Sequence, residues 1–378
     1  MILTLALSIW TAPPTPIVIP APPTIDVVIM SRSPPRRLRI LRGACSQAEF
    51  GRVDEVQGAK KGLKICRGSK AQQRCSEAPS ADLVCDGSAS VDAPGIPART
   101  YGRRFKIRSL GGFLRVVSAV DLEGYVRGVA DAELSFAPPE AFWAQEVVAR
   151  TFALKAQQAP RHEDGAVCDL THCQAFSGVP RRREAEHGQP LVLVDHEHQL
   201  ADVFYHSTCG GRSLPPSAMW PNIRAPDLTA VDDLDPKGRP YCRVSPHFHW
   251  VFEVDERKLA AALSGAAGRP LDPSSLALVA QDPDFARWKV SDQEGAVLIG
   301  GEVMHLELSR IFGFGAVKSS RFVATRAGAN FRLSGFGLGH RVGLCQMGAI
   351  ARANAGATGF QILSAYFPKL EYARVNLQ

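Results

Sequence analysis

Short runs of alternating or β-branched apolar residues dominate the chain, and they predict strands more often than helices. Residues 25–31 and 37–41 are typical of short strands, and residues 102–109 and 113–120 predict a hairpin around Gly111-Gly112. Further strands are predicted at 190–195, 200–207, 303–308 and 322–325. Clustered strands with few helices indicate an α+β fold, with a strand-rich mixed core, one long helix and short C-terminal helices.

The long helix is predicted at residues 140–158, where apolar side chains recur at three- and four-residue steps after Pro138-Pro139. Arg150 lies on its apolar stripe, and a guanidinium there needs a carboxylate partner or an anionic ligand. Glu146, one turn earlier, could be that partner. Shorter helices are predicted at 256–263, 346–354 and 358–366.

The first residues resemble the core of a secretory signal, because a short apolar run at 1–10 is followed by small residues and prolines. The first basic residue, however, is Arg32. Prolines crowd residues 11–24 and predict a stiff, extended spacer without a packed core. We therefore expect a signal-like segment and spacer at 1–24 and a folded domain at 25–378. The chain contains no apolar run of about 18 residues free of charge and proline, so no strong transmembrane span is predicted.

Four of the nine cysteines lie in a segment that is poor in large apolar residues, at about 42–92, which we interpret as an insertion. They are Cys45, Cys66, Cys75 and Cys85. An even number of cysteines in a weak core predicts two disulfides, with three possible pairings, and an oxidising compartment. Tight CxxC pairs, which a zinc knuckle needs, do not occur there. The expected location is therefore secreted, periplasmic or the cell envelope.

Two histidines and two cysteines fall within twelve residues further along: His162, Cys168, His172 and Cys173. Thiolate and neutral imidazole are the usual ligands of a closed tetrahedral zinc site. The spacing is not that of a standard finger, and it leaves a zinc site and a Cys168–Cys173 disulfide both open. Four protein ligands would leave no position for an activated water, so the predicted role of zinc is structural.

A single carboxylate, Glu133, follows a small apolar stretch and precedes the long helix. A partly dehydrated carboxyl group has a raised pKa and can protonate a leaving group, whereas the alternative is a charge at a helix start. Downstream, Cys209 ends a predicted strand at a glycine turn. It could be a nucleophile next to a histidine, but we favour a disulfide with Cys242. The glycine-rich loop at 334–340 predicts close approach of backbone to a polymer ligand.

Composition narrows the possible partners. A hydrophobic content of 45% and a charged content of 21% exclude a wholly disordered chain and a fibre. The net charge of +7, from 44 basic and 37 acidic residues, suits an anionic partner such as nucleic acid or a cell-wall polymer. The basic residues are dispersed and no nucleic-acid-binding motif occurs, so nucleic acid is disfavoured.

Several sequence words in one order resemble the SpoIID/LytB family, the stage II sporulation protein D type of cell-wall proteins. The resemblance covers about residues 95–378. The words are Asp121-Leu-Glu-Gly-Tyr-Val-Arg-Gly-Val, Ala132-Glu133-Leu, Glu140-Ala-Phe-Trp-Ala-Gln-Glu-Val-Val-Ala-Arg-Thr-Phe, Cys168-Asp-Leu-Thr-His-Cys-Gln-Ala-Phe, Tyr205-His-Ser-Thr-Cys-Gly-Gly, Tyr241-Cys-Arg-Val-Ser-Pro, Gly337-Leu-Gly-His-Arg-Val-Gly-Leu-Cys-Gln-Met-Gly-Ala and Ile362-Leu-Ser-Ala-Tyr-Phe-Pro.

The resemblance implies a lytic transglycosylase that cleaves peptidoglycan glycan strands between N-acetylmuramic acid and N-acetylglucosamine. It implies Glu133 as the general acid and base, since one carboxyl group can play both roles in turn. It also implies a substrate groove lined by Arg150, Tyr205, His340 and Gln346, and a metal near residues 162–173. This sequence has Phe152 where the family often has tyrosine. The LytB name implies a second hypothesis, a non-catalytic wall-binding protein that enhances an N-acetylmuramoyl-L-alanine amidase.

Overall fold

The computed structural model describes residues 17–68, 72–180, 189–282 and 284–378. Strands outnumber helices there and the elements are mixed along the chain, which confirms the predicted α+β class. The signal-like run at 1–10 lies outside the described residues, as do Arg181, Arg182 and Arg183.

The helices of the described residues include the long one predicted from the sequence and three that were not predicted as helices. They are α1 (Leu122–Leu134), α2 (Pro139–Gln158), α3 (Pro216–Met219), α4 (Glu256–Ala267), α5 (Gly301–Phe312), α6 (Gln346–Asn354) and α7 (Gly359–Tyr366), with 3₁₀ turns at Tyr241–Val244 and Pro273–Ser275.

The strands are numbered in chain order. They are β1 (Val18–Ala21), β2 (Thr24–Ile29), β3 (Arg37–Arg42), β4 (Cys45–Gln47), β5 (Gly51–Val53), β6 (Glu55–Gly58), β7 (Leu63–Arg67), β8 (Arg74–Ala78), β9 (Ser80–Cys85), β10 (Ser90–Ala93), β11 (Ile96–Thr100), β12 (Arg104–Leu110), β13 (Phe113–Asp121), β14 (Val167–Cys168), β15 (Leu191–Val194), β16 (Tyr205–His206), β17 (His249–Asp255), β18 (Ala277–Ala280), β19 (Arg287–Asp292), β20 (Gly295–Gly300), β21 (Phe322–Ala327), β22 (Asn330–Phe336), β23 (Leu344–Cys345) and β24 (Glu371–Leu377).

Two large sheets form the first third of the molecule. One has the order β14-β2-β13-β12-β9-β4-β5 and the other β11-β10-β3-β6-β7-β8. The predicted hairpin is confirmed: β12 and β13 pair from Leu110↔Phe113 onwards, and Gly111 and Gly112 adopt φ values of 62° and 87°. Such a turn needs positive φ at both central residues, which glycine adopts without strain.

Two disulfides link neighbouring strands of these sheets, as the cysteine count predicts. Cys45 on β4 bonds Cys85 on β9, and Cys66 on β7 bonds Cys75 on β8. The structure thus selects one of the three pairings that the sequence leaves open. Both bonds join residues that the strand register already places opposite each other.

Helix α2 lies in the main hydrophobic core, where it contacts α1, α6, α7 and β15. It begins at Pro139, which needs no hydrogen-bond acceptor for a backbone N–H. Buried residues lie on nearly all of its sides, from Ala141 to Ala156. A helix that is buried on most of its sides lies inside the protein, and α1, α6, α7 and β15 pack around α2.

Helix α1 is the main element that the sequence reasoning missed. The Asp121 carboxylate caps it by accepting from the N–H of Gly124. Its glycines hide the helical pattern, but packing requires at least one of them: a Cβ at Gly128 would lie 2.4 Å from Cε2 of Phe176. Glu133 therefore lies in the last turn of a helix and not at the end of a strand.

Two other segments differ from prediction. Residues 303–308, predicted as a strand, lie within α5, where Met304 and Leu308 are buried four residues apart. A short apolar run does not distinguish a strand from a buried helix, and here its place in the core decides. Only Tyr205–His206 is strand within 200–207. Residues 18–21 also differ from the unpacked spacer expected there, because β1 pairs with β24 and Ala21 is buried.

A second hydrophobic core lies between residues 250 and 333. It is built from the sheets β17-β22-β21 and β18-β19-β20 together with α4 and α5, and its largest buried side chain is Trp288. The main core instead surrounds α2. The chain before residue 250 and the chain after residue 333 therefore both contribute to the main core around α2. The candidate site lies at this main core. Within the described residues, no helix is long and apolar enough to cross a membrane.

Candidate active site

Three distant chain segments donate hydrogen bonds to the half-buried carboxylate of Glu133. The backbone N–H of Ala175 and the hydroxyl of Tyr205 both donate to Oε1, each at 3.1 Å. Nε2 of Gln346 donates to Oε2 at 3.3 Å. The groups hydrogen-bonded to Glu133 among the described residues are thus all donors. They fix the direction of the carboxylate at the end of α1, where an acid or base could act on a bound substrate.

The pairing of two short strands brings Tyr205 and Gln346 together. β16 and β23 run parallel with Tyr205 opposite Leu344, and Gln346 follows β23 as the first residue of α6. Loss of solvent around the phenol, reinforced by the charge of Glu133, raises the pKa of Tyr205 well above its usual range. Tyr205 therefore remains a hydrogen-bond donor at neutral pH.

His340 lies behind the Tyr205 strand, packed against aromatic rings. Its ring centroid is 4.9 Å from that of Trp220 and 5.6 Å from that of His206, and Nδ1 accepts from the N–H of Val342 at 3.1 Å. Burial lowers the pKa of His340 to about 4, so the ring is neutral near pH 7. The hydrogen bond and ring contacts described for His340 are with these neighbours and Phe204, not with Glu133.

The glycine-rich loop before α6 approaches the protein's own backbone, and its approach to a polymer ligand stays a prediction. A Cβ at Gly337 would lie 2.4 Å from the carbonyl oxygen of Thr208, and one at Gly343 would lie 2.1 Å from that of Phe204. Both residues also have positive φ. The glycines are needed because this loop packs directly on the segment that carries Tyr205.

Arg150 is buried and forms a bidentate ion pair with Glu123. Nε and Nη2 donate to the carboxylate of Glu123 on α1 at 2.7 and 2.6 Å, and Nη1 donates to the carbonyl oxygen of Leu191 at 3.0 Å. The carboxylate partner that these hydrogen bonds identify is Glu123, whereas sequence spacing suggested Glu146. These hydrogen bonds join α2 to α1 and β15, and none of them is to Glu133.

His162, Cys168, His172 and Cys173 converge as the sequence predicts, and we call them the His/Cys cluster. Their ligand atoms all lie within 4.8 Å of one another. Nε2 of His162 is 3.3 Å from Sγ of Cys173, and the nearer ring nitrogen of His172 is 3.6 Å from Sγ of Cys168. Cys168 and Cys173 are not bonded to each other. Two thiols and two imidazoles at these distances could hold a metal ion.

The electrostatics of the His/Cys cluster favour one thiolate. A hydrogen bond from the Cys168 thiol, with help from His162, lowers the pKa of Cys173 to about 5, and the same shared proton raises the pKa of Cys168. Thiolates are the form that binds metal. Ala175, whose N–H contacts Glu133, comes two residues after Cys173. The cluster therefore lies next to the segment that carries one of the three donors.

Cys209 and Cys242 do not form the disulfide favoured from the sequence. Their sulfur atoms are 3.5 Å apart, and both thiols are free. Cys345 and Asp233 complete the group, and we call these four residues the buried thiol cluster because each is 0% exposed. A nucleophile must be reachable by its substrate, so burial argues against the catalytic role considered for Cys209.

Sequence reasoning missed several residues that build the site. The Ala175 N–H is a backbone donor, which no residue type reveals. Glutamate is usually exposed at the surface, and the pairing of Glu123 with Arg150 arises only because α1 packs against α2. The hydroxyl of Tyr125 donates to Oε1 of Gln174 at 3.1 Å and supports the segment next to Ala175. A helical interpretation of residues 122–134 would have placed Tyr125, Val129 and Glu133 on one face and revealed part of this arrangement.

Comparison with known proteins finds similarity to sporulation proteins over part of this chain. The family model described as stage II sporulation protein (SpoIID) matches residues 111–195, the segment that contains Glu133, α2 and the His/Cys cluster. Stage II sporulation protein D of Bacillus amyloliquefaciens is 23% identical over 286 residues, which cover 69% of this chain and 76% of that protein. An uncharacterized protein of Brachyspira hyodysenteriae is 24% identical over 274 residues, covering 69% of this chain and 70% of that one.

Both the family-model match and the similarity to stage II sporulation protein D support a SpoIID-family assignment. Such an assignment indicates a function related to the cell wall. Tyr205, Gln346 and the buried thiol cluster lie outside the segment that the family model matches, so the evidence for their roles is their position in the structure.

Proposed function

We propose that this protein cleaves peptidoglycan glycan strands between N-acetylmuramic acid and N-acetylglucosamine as a lytic transglycosylase, with Glu133 as general acid and then general base. The observation that carries the proposal is the Glu133 carboxylate at the end of α1, oriented by three donors from distant segments. The family assignment supports a cell-wall substrate. The dispersed positive charge suits an anionic polymer.

In the proposed reaction, protonated Glu133 gives its proton to the glycosidic oxygen, and the bond from that oxygen to the anomeric carbon of muramic acid breaks. The muramic 6-hydroxyl then attacks the same carbon while the Glu133 carboxylate takes the hydroxyl proton. The products are a new N-acetylglucosamine end and a 1,6-anhydro-muramic end, and Glu133 is protonated again. No water is consumed, so one carboxyl group suffices, unlike the pair in ordinary glycosidases.

The other predicted groove residues divide into two kinds in this proposal. Tyr205 and Gln346 contact Glu133 and orient its carboxylate. Arg150 and His340 act through other residues: Arg150 holds α1 through Glu123, and His340 supports the strand of Tyr205. Arg150 and His340 are therefore structural supports in this proposal, and not the groove-lining residues that the family resemblance implies.

We also propose that the His/Cys cluster binds one structural zinc ion. Its two thiols and two imidazoles have the right chemistry, and their convergence within 4.8 Å supports the site. Zinc there would fix the segment that carries Ala175 and so the orientation of Glu133. Metal analysis of purified protein should give zinc, one equivalent of which is lost in Cys168→Ser. A Cys168–Cys173 crosslink without metal would reject the site and leave the role of Glu133 untouched.

The place of action that we propose is the secreted, periplasmic or cell-envelope space. The two disulfides of the N-terminal sheets are compatible with an oxidising compartment, and they support this location. An amidase-enhancing wall-binding protein is the alternative function, and it would need no catalytic glutamate. The products formed from glycan strands distinguish the two.

The test is digestion of purified glycan strands, with and without their peptide stems, in the absence of any amidase. Mass spectrometry of the products should find 1,6-anhydro ends, each lighter by one water than a hydrolytic end. Glu133→Gln should slow cleavage by about a hundred- to ten-thousand-fold, because it keeps the shape and removes the titrating proton. Asp131→Asn, an exposed carboxylate on the same helix, is the matched control and should remain active.

Two results would contradict the proposal. Full glycan cleavage by folded Glu133→Gln would remove the role of Glu133. Wild-type protein that binds strands, yields no anhydro ends and accelerates an added amidase would favour the alternative.

A further inference from the structure

We propose that Cys209, Asp233, Cys242 and Cys345, the buried thiol cluster, form a second metal site that binds a structural zinc ion through three thiolates and one carboxylate. The site is separate from the His/Cys cluster and shares no residue with it. It also stands apart from the proposed reaction, because a closed four-ligand shell leaves no position for a reactive water.

The distances fit a tetrahedral zinc ion. Zinc–sulfur bonds of about 2.3 Å and zinc–oxygen bonds of about 2.1 Å place neighbouring ligand atoms about 3.6 to 3.8 Å apart at tetrahedral angles. Sγ of Cys209 lies 3.5 Å from Sγ of Cys242 and 3.4 Å from Oδ2 of Asp233. All four ligand atoms lie within 4.8 Å of one another. A small adjustment outward would complete the shell.

The carboxylate of Asp233 is oriented for this role. Its Oδ1 accepts from the Arg352 guanidinium at 3.0 and 3.1 Å and from the hydroxyl of Tyr366 at 2.9 Å, which leaves Oδ2 directed at the thiols. Outer partners of this kind fix the direction of metal ligands. Gly348 makes the room, since a Cβ there would lie 2.2 Å from Oδ2 of Asp233.

Backbone amides stabilise negative sulfur at two of the cysteines. The N–H groups of Cys209 and Gly348 donate to Sγ of Cys345 at 3.2 and 3.4 Å, and the N–H of Gly211 donates to Sγ of Cys209 at 3.2 Å. Cys345 also caps α6, where the helix dipole favours a negative group. Three thiolates and a carboxylate form a large buried negative charge, which Arg352 alone does not balance and which Arg352 together with a divalent cation would largely offset.

A disulfide explains the cluster less well. A Cys209–Cys242 bond would require sulfur atoms about 2.05 Å apart, and it would leave Cys345 alone. Oδ2 of Asp233 would then face only neutral sulfur in a fully buried space. A metal ion accounts for all four residues together.

The proposed metal would join the segments that carry two contacts of Glu133. Cys209 comes four residues after Tyr205, and Cys345 precedes Gln346. The ion would therefore hold β16 and β23 in register, in addition to their backbone hydrogen bonds. This is a positioning role, and it does not depend on which reaction Glu133 performs.

Metal content of full-length purified protein tests the site. Wild type should contain one more zinc per chain than Cys345→Ser, a variant whose hydroxyl can still cap α6. Cys168→Ser serves as the matched control, because it alters only the His/Cys cluster and should retain the second zinc. Equal zinc content in wild type and folded Cys345→Ser would overturn the proposal. So would a Cys209–Cys242 crosslink in a peptide map of unreduced wild type.

Cobalt binding covers the case in which Cys345→Ser does not fold. The Cys168→Ser/Cys173→Ser double variant keeps only three free thiols, those of Cys209, Cys242 and Cys345, since the other four cysteines are in disulfides. Added Co²⁺ should give this variant a strong thiolate-to-cobalt charge-transfer band at one equivalent, and added Zn²⁺ should abolish it. A folded double variant without such a band would overturn the proposal. Neither readout measures glycan cleavage, so failure here leaves the proposed function standing, and the reverse also holds.

Discussion

The cysteines of the N-terminal sheets and those around Glu133 are in different chemical states. Cys45, Cys66, Cys75 and Cys85 are all joined in disulfides between paired strands. The other five, Cys168, Cys173, Cys209, Cys242 and Cys345, are free thiols, and all five are buried. The first group links residues that the sheet register already brings together. The second group converges from segments as distant as Cys209 and Cys345, beside residues that contact Glu133.

The difference teaches what each region needs. The four strands that carry the disulfides are short, from three to six residues, so their sheets gain stability from the covalent links. Around Glu133 the requirement is relative position: three segments must present Ala175, Tyr205 and Gln346 to one carboxylate. Thiols grouped with imidazole or carboxylate can meet that requirement through a metal ion. Variants in the two regions should therefore separate stability from activity.

The largest change in stability is expected for Asp233→Ala. This substitution leaves the Arg352 guanidinium, which is 16% exposed, without its carboxylate, and it also removes the acceptor of the buried Tyr366 hydroxyl. Breaking a buried pair on one side costs about 3 to 5 kcal/mol. Urea unfolding should show this loss, while the neighbouring Asp232→Ala, whose carboxylate is 62% exposed, should cost about 0 to 1 kcal/mol. Equal losses would remove the distinction between the two carboxylates.

The two disulfides should differ from each other by loop length. The Cys45–Cys85 link closes a separation of 40 residues and the Cys66–Cys75 link one of 9. In the chain-entropy model they contribute about 4 and about 2.5 kcal/mol. Urea unfolding should therefore give a lower free energy of unfolding for Cys45→Ala/Cys85→Ala than for Cys66→Ala/Cys75→Ala. Glycan cleavage per folded molecule should stay at the wild-type rate in both, and a loss of cleavage without unfolding would tie this region to the site.

Arg150→Met tests whether the guanidinium is an anchor or a substrate contact. Methionine keeps most of the volume but loses the pair with Glu123, whose side chain is 25% exposed. Because the pair is only partly shielded, we expect a loss of about 2 kcal/mol, between the values for exposed and buried pairs. Thermal unfolding should report it, with cleavage per folded molecule unchanged. Unchanged stability with lost cleavage would instead place Arg150 in the groove, as the family resemblance implies.

The smallest effect is expected for Tyr205→Phe. It removes one of three hydrogen bonds to Glu133, worth about 1 kcal/mol, and should slow glycan cleavage about fivefold with little change in unfolding. Tyr372→Phe is the control, since that hydroxyl bonds Ser364 and Phe360 away from Glu133. A loss as large as that of Glu133→Gln would show that Tyr205 does more than orient the carboxylate.

Local sequence patterns were sufficient for much of the fold and for the identities of several site residues. The α+β class, the glycine hairpin, the Pro139 helix and the disulfide count depend on periodicity, turn chemistry and cysteine number, which are local or additive properties. The same kind of information predicted the His/Cys cluster, because all four residues lie within twelve positions. It failed for α1 and for residues 303–308, where glycines or a short apolar run leave helix and strand undecided.

The tertiary structure decided which residues meet. Glu133, Tyr205 and Gln346 are separated by up to 213 positions, and only the parallel pairing of β16 with β23 beside the end of α1 brings them together. The tertiary structure likewise pairs Arg150 with Glu123. It also brings four distant residues into one buried group: Cys209, Asp233, Cys242 and Cys345. The sequence alone indicated most of the elements and the kinds of chemistry available. The contacts between distant segments came from packing around α2, since long-range distances depend on the whole fold and leave no local pattern.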